Sequence, residues 1–198
     1  NVIKVANLVN EGKNVYQAVE HHELGYNSSP FFLNAVFLID KLRQNLPFLS
    51  LPFIYRAMLS FVDLMSLFVL IGIAKKRHLP EIKVAILFFL NPVSVVISGY
   101  YGQFDNIAIF FLLLGLWVYE NKPVILAGIE EVIVWLLLTF SLWVKHIVAI
   151  QILIFLIYLT KSRIKGTFFW GISIIIFLIS FIPYVYDEYL RVIVPILK

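Results

Sequence analysis

From residue 53 to residue 186 the chain is a succession of long apolar runs separated by short polar or basic breaks, and this leaves it few ways to fold. Phe53 to Ala74 carries only Arg56 and Asp63 as charges and is closed by Lys75, Lys76, Arg77 and His78. A helix rises about 1.5 Å per residue, so about 20 apolar residues cross the hydrocarbon core of a bilayer; this run is a full span. Ile82 to Ser98, with Asn91-Pro92 inside it, predicts a second, and Phe104 to Tyr119 a third. Val124 to Leu159 is too long for one span and breaks at Lys145-His146; Phe168 to Tyr186 is the last. In lipid only helices and closed barrels satisfy their own backbone polar groups, and these runs have helix lengths. The expectation is an all-α polytopic transmembrane protein with about six membrane helices.

The polar residues are too few for any other solvent. Charged residues make up 14% of the 198, against about 25% in soluble domains, and mean hydropathy is +0.91. A net charge of +4 would suggest nucleic acid in a soluble domain. Here the cations sit in short breaks between apolar runs, the positive-inside pattern, and no nucleic-acid partner is expected. With Phe53 outside, the loops at 75–83, 120–122 and 161–165 face the cytoplasm and hold half of the 16 Lys and Arg residues. The outer turns then hold only Lys145. This arrangement gathers 99–106, Lys145-His146, Asp187 and the N-terminal region on the non-cytoplasmic face of a prokaryotic plasma membrane or of the endoplasmic reticulum. A rival parse makes Val132 to Leu159 one tilted helix with Lys145-His146 at its centre. Glu130 and Glu131 sit roughly 9–10 Å into a helix that begins at Val124, an awkward depth unless the helix starts later.

Residues 1–52 are expected to form an outer-face segment ahead of the membrane domain at 53–198. Val2, Val5, Ala6 and Val9 fall at i, i+3, i+4 and i+7, one face of an amphipathic helix, and Gly12 is placed to stop it. A loop with at most a short helix runs to Pro30. Residues 31–46 are apolar for one half and then carry Asp40, Lys41 and Arg43, which predicts a helix lying at the interface. The chain opens on Asn1 with no signal peptide, so a fragment or processed product is expected. It has no cysteine, and its four histidines are scattered without ligand spacing, so neither a disulfide nor a metal motif is present. No cofactor is expected.

Polar groups within membrane segments are costly and point to function by default. "ISGYYGQFDNIAIFF", residues 97–111, sets Gln103, Asp105 and Asn106 between two apolar runs. One carboxylate or amide would serve as a helix cap. Three of them, with Gly99 and Gly102 allowing close backbone approach and Tyr100 and Tyr101 adding ring faces, suit a sugar. Arg56 and Asp63 are seven apart and share a helix face; they either neutralise one another through neighbours or offer Arg56 to an anionic headgroup, whose oxygens a guanidinium grips well. Lys145 and His146 either snorkel to the interface or face a lipid phosphate. Tyr16, Tyr26 and Tyr119 read as interface anchors, and His21-His22 as solvated.

"NPVSVVISGYYGQFDN", "RAMLSFVD", "WVKHIVAIQ" and "VNEGKNVY" followed by "YNSSP" together resemble the GT-C superfamily of polyprenyl- and dolichyl-phosphate-sugar-dependent glycosyltransferases, over roughly residues 7–151 and in family order. N-glycan glucosyltransferases and GPI mannosyltransferases are the similar members. The "YNSSP" stretch has serines where the family more often has a second proline. The resemblance implies an inverting enzyme that takes a hexose from a lipid phosphate and gives it to a glycan, lipid or protein acceptor on the non-cytoplasmic face. The lipid-linked sugar is a substrate, not a cofactor. The family's general base is a loop carboxylate after the first membrane helix, which would lie upstream of Asn1; Asp105 is the candidate in this chain. Tyr26, Arg56, Asp63, Gln103, Asn106, Lys145 and His146 become the substrate-binding candidates. A transporter or flippase of a lipid-linked or small polar substrate is the alternative. It also places charges in broken helices, but it predicts an internal repeat, and none is visible. A non-catalytic scaffold is the third reading.

Overall fold

A computed structural model describes residues 2–13, 15, 30–45, 48–90, 105–121 and 129–182. Among them every regular element is a helix: α1 (Val2–Asn10), α2 (Pro30–Gln44), α3 (Leu51–Lys76), α4 (Glu81–Phe89), α5 (Asp105–Glu120), α6 (Ile129–Val144), α7 (Ala149–Thr160) and α8 (Arg163–Ile179). The all-α expectation holds. Tyr26, Gln103, the 99–104 part of the polar knot, Asn91-Pro92 and Asp187 lie outside the described residues.

α3 is the one helix among the described residues that is long and apolar enough to cross a membrane. Its 26 residues extend about 39 Å. The six-span expectation is therefore met at one span. The second expected span is described only as Glu81–Phe89, and Phe168 to Tyr186 only to residue 182. The surfaces agree with α3. Ile150 and Ile154 on α7, Phe168 and Ile175 on α8, and Phe61 and Phe68 on α3 are all more than half exposed. Hydroxyls, by contrast, are inside: Ser66, Thr139, Ser141 and Ser173 are buried. Apolar faces turned outward and hydroxyls joining helices inward are the marks of helices packed in lipid. This is a membrane-associated helical protein.

Two contacts fix how α3 and α5 run. Asn106 donates to Asp63, and Arg77 Nε donates to Glu120 Oε1 at 2.7 Å. Each pair is 43 residues apart in sequence, so the helices are parallel and keep register over the 14 residues between, about 21 Å. α6 runs back along α5. Ser141 donates to the Ala108 carbonyl at 2.6 Å, and a Cβ on Gly115 would sit 3.4 Å from Leu138 Cδ2. α7 and α8 are antiparallel, with Trp170 Nε1 donating to the Ala149 carbonyl at 2.9 Å. At their other end Gly166 is indispensable: a Cβ there would lie 2.6 Å from Ile157 Cα. α8 in turn runs parallel to α6, where Trp135 Nε1 donates to Ser173 Oγ at 3.1 Å and the Thr139 and Ser173 hydroxyls meet at 2.8 Å.

Three expectations are corrected or refined here. The rival parse of one helix through Lys145 fails: α6 ends at Val144, Lys145 is extended at φ −152° and ψ 123°, and a 3-10 turn at His146–Val148 precedes α7. α6 is described from Ile129 to Val144, with Glu130 and Glu131 in its first described turn; Val124, the expected start, lies outside the described residues. Asp40, on the helix expected to lie at the interface, is buried at 4% exposure. It accepts from Arg43 Nε and from Asn10 Nδ2, both at 2.8 Å, and so ties α2 to α1. α1 matches its pattern: Val5 and Ala6 are buried, and Gly12 ends the turn at φ +70°, a conformation that suits glycine. α1 and α2 share one apolar core with the bundle. They cover the end where α3 and α5 begin and α6 finishes: Phe32 meets Tyr55, and Phe31 meets Phe140 and Trp143.

Candidate functional site

The covered end is where the polar candidates gather. Because α5 and α6 are antiparallel, one turn outward from the Ser141–Ala108 bond leads to Asp105 on one helix and Lys145 just past the other. Lys145 Nζ lies 3.1 Å from Asp105 Oδ1, with the side chains 17% and 21% exposed. Lys145 itself is extended, one residue past the end of α6. Asp105 Oδ1 is buried without a well-aligned hydrogen bond, so the contact to Lys145 is an ion pair without the directional bond.

Asn106, next along α5, reaches across to Asp63 on α3. Asp105 is also within electrostatic range of Tyr55, which is 2% exposed. Three helices thus deliver two carboxylates, an amide, an ammonium and a phenol to one region beneath α2. Tyr55 was missed in the sequence because it reads as one more aromatic in an apolar run. The available signal was that Tyr55, Leu59, Val62 and Ser66 recur at helical spacing as the inward stripe of α3, beside Asp63.

The remaining candidates are not drawn in. Arg56 is exposed and has no polar partner among the described residues. It does not neutralise Asp63: two turns separate them by about 10 Å along the axis, and Asn106 is nearer. His146 is exposed beside the Phe177 ring, with centroids 6.4 Å apart. Lys145 does not snorkel outward but turns to Asp105. Tyr119 lies at the opposite end of α5, against Phe155 and Tyr158, and is not part of this site. No group of three or more His, Asp and Glu side chains able to hold a metal occurs among the described residues.

Compared with protein-family models, with curated proteins and with solved structures, the chain gives no match.

Proposed function

We propose that this chain is a membrane glycosyltransferase of the GT-C type. It moves a hexose from a polyprenyl-phosphate donor to a glycan, lipid or protein acceptor on the non-cytoplasmic face, with inversion at the anomeric carbon. The observation that carries this reading is the partly shielded Asp105–Lys145 pair, with Asn106 and Asp63 joined beside it. Transfer from a lipid phosphate needs polar groups for sugar hydroxyls, a cation for the departing phosphate and a carboxylate for the acceptor proton. All three are present here.

In the proposed step the acceptor oxygen bonds to the anomeric carbon. The bond from that carbon to the phosphate oxygen breaks, and its electron pair leaves with the lipid phosphate. The acceptor proton passes to Asp105. Lys145 then exchanges its loose contact with Asp105 for the new phosphate charge, a preorganised cation placed where charge develops. Asn106 and Asp63, with Gln103 and Tyr26, orient hydroxyls. Arg56 and His146, both exposed and apart from this pair, take no part in the step.

The test is donor consumption in proteoliposomes, run across several carrier lipids and sugars. Consumption of a polyprenyl-phosphate hexose is expected, and Asp105→Ala or Lys145→Ala should slow turnover by roughly a hundredfold or more. Wild-type turnover in both variants removes this site. Sugar flux across the membrane without consumption of donor replaces the reading with transport.

A further inference from the structure

The opposite end of the bundle carries a second constellation that sugar transfer does not use. A cleft of about 410 Å³ is lined by Tyr119, Ile157, Tyr158, Lys161, Ser162 and Arg163. Lys161 ends α7 in the left-handed conformation, at φ 51°, and the chain turns into α8 only two residues later. That sharp reversal sets Lys161 and Arg163 on the same cleft. Both are exposed, and neither has an acidic partner among the described residues. Glu120, next to Tyr119 in the chain, accepts through Oε1 from Arg77 and not from the cleft's cations. Ser162 caps α8 by accepting from the Lys165 amide at 3.3 Å, so the side-chain cations are what the cleft offers a ligand.

Its surroundings select the ligand. On the cleft's own side Tyr158, which lines it, and Ile154, one turn before it on α7, are 61% and 63% exposed. Bare cations beside exposed apolar side chains of α7, with tyrosine rings at the boundary, describe a place where acyl chains lie below and a headgroup lies above. A soluble phosphate ester would find the cations but would leave the apolar faces uncovered.

We infer that this cleft holds the phosphate of an anionic phospholipid, with Lys161 and Arg163 on the headgroup and Tyr158 and Ile154 against its chains. The inference rests on the bilayer setting of α3 and not on sugar transfer, which belongs to the other end. The experiment measures lipid retained on the purified protein by native mass spectrometry. The protein is taken from vesicles of phosphatidylcholine, with and without a one-fifth share of phosphatidylglycerol. Phosphatidylglycerol should be retained in preference to phosphatidylcholine, and Lys161→Gln and Arg163→Gln should each weaken that preference by about fivefold. Lys4→Gln with Lys41→Gln, on helices at the other end, should leave it unchanged. Equal loss in the control pair would mean diffuse attraction and overturn the site, as would full preference in the Lys161→Gln, Arg163→Gln double variant. Complete displacement of phosphatidylglycerol by millimolar inorganic phosphate would make it a free-phosphate site and overturn the lipid assignment. Donor turnover need not change in any of these variants, so failure here and failure of the transferase reading are separately visible.

Discussion

Asp40 shows how a charge in a partly apolar helix is held by its neighbours. Its burial works to raise its pKa. Hydrogen bonds from Arg43 and Asn10, with the Arg43 charge, outweigh that and hold the carboxyl below the ordinary value of 3.8. A depressed folded pKa gives stability that is complete above the unfolded value and is lost as pH falls through the folded one. Acidification from pH 5 to below 3.8 should therefore loosen α1 from α2, and hydrogen exchange at Val5 to Asn10 should speed up across that window. Asp40→Asn should flatten the dependence; an unchanged pH profile in that variant would assign it to another group. Of the site residues, Asp63, Asp105, Asn106 and Lys145 were legible in the sequence because each is polar where its neighbours are not. Their pairing was not legible. Asp63 was expected either to answer Arg56 on its own helix or to leave it for an anionic headgroup, and it answers Asn106 on another helix, since side-chain reach across a helix interface is invisible to spacing along one chain. Tyr55 was hidden because an aromatic among aromatics carries no contrast.

At the scale of elements, apolar length predicted the helices and small residues decided how close they come. Phe53 to Ala74 and Phe104 to Tyr119 were readable to within two residues of α3 and α5, as their ends are marked by charge. Val124, the expected start of α6, lies outside the described residues, which take the helix up at Ile129. Gly166 gave no sequence signal at all, since a glycine in an apolar run is as consistent with tolerance as with necessity. The geometry separates the two. A methyl group at Gly166 meets Ile157 backbone at 2.6 and 2.7 Å, whereas at Gly171, on the same helix, it meets nothing within 4 Å. Backbone cannot rotate away as a side chain can, so Gly166→Ala should cost about 1–3 kcal/mol by overpacking. Gly171→Ala should be neutral or stabilising by up to about 1 kcal/mol through helix propensity. Thermal unfolding of the two variants in one detergent checks the difference. The intermediate case is Gly72, whose neighbour is the Trp117 side chain at 2.8 Å and can swing aside.

For the whole molecule, the two ends are chemically unlike, and opposite compartments are the outcome expected for them. One end has Lys75, Lys76, Arg77, Lys161, Arg163 and Lys165 around the α3–α4 and α7–α8 turns, with Arg77 locked to Glu120. The other has the Asp105–Lys145 pair under α1 and α2. Parallel α3 and α5 with antiparallel α6 leave no route by which the two clusters could lie on the same side of a bilayer that α3 crosses. The basic loops were readable from the sequence as one face, but the roof of α1 and α2 over the other was not, because it depends on Phe31 and Phe32 finding Trp143 and Tyr55. The absence of cysteine makes the arrangement directly measurable, since each introduced thiol reports without background. In sealed vesicles, His146→Cys and Glu11→Cys should react with a membrane-impermeant maleimide from one side only, and Lys76→Cys and Lys165→Cys only from the other. All four positions are exposed, so a silent one reports compartment, not burial. Reaction of all four from the same side would mean that α3 lies along the membrane. The covered end would then not be isolated from the basic one, and both the sugar site and the phospholipid cleft would lose the bilayer that separates them.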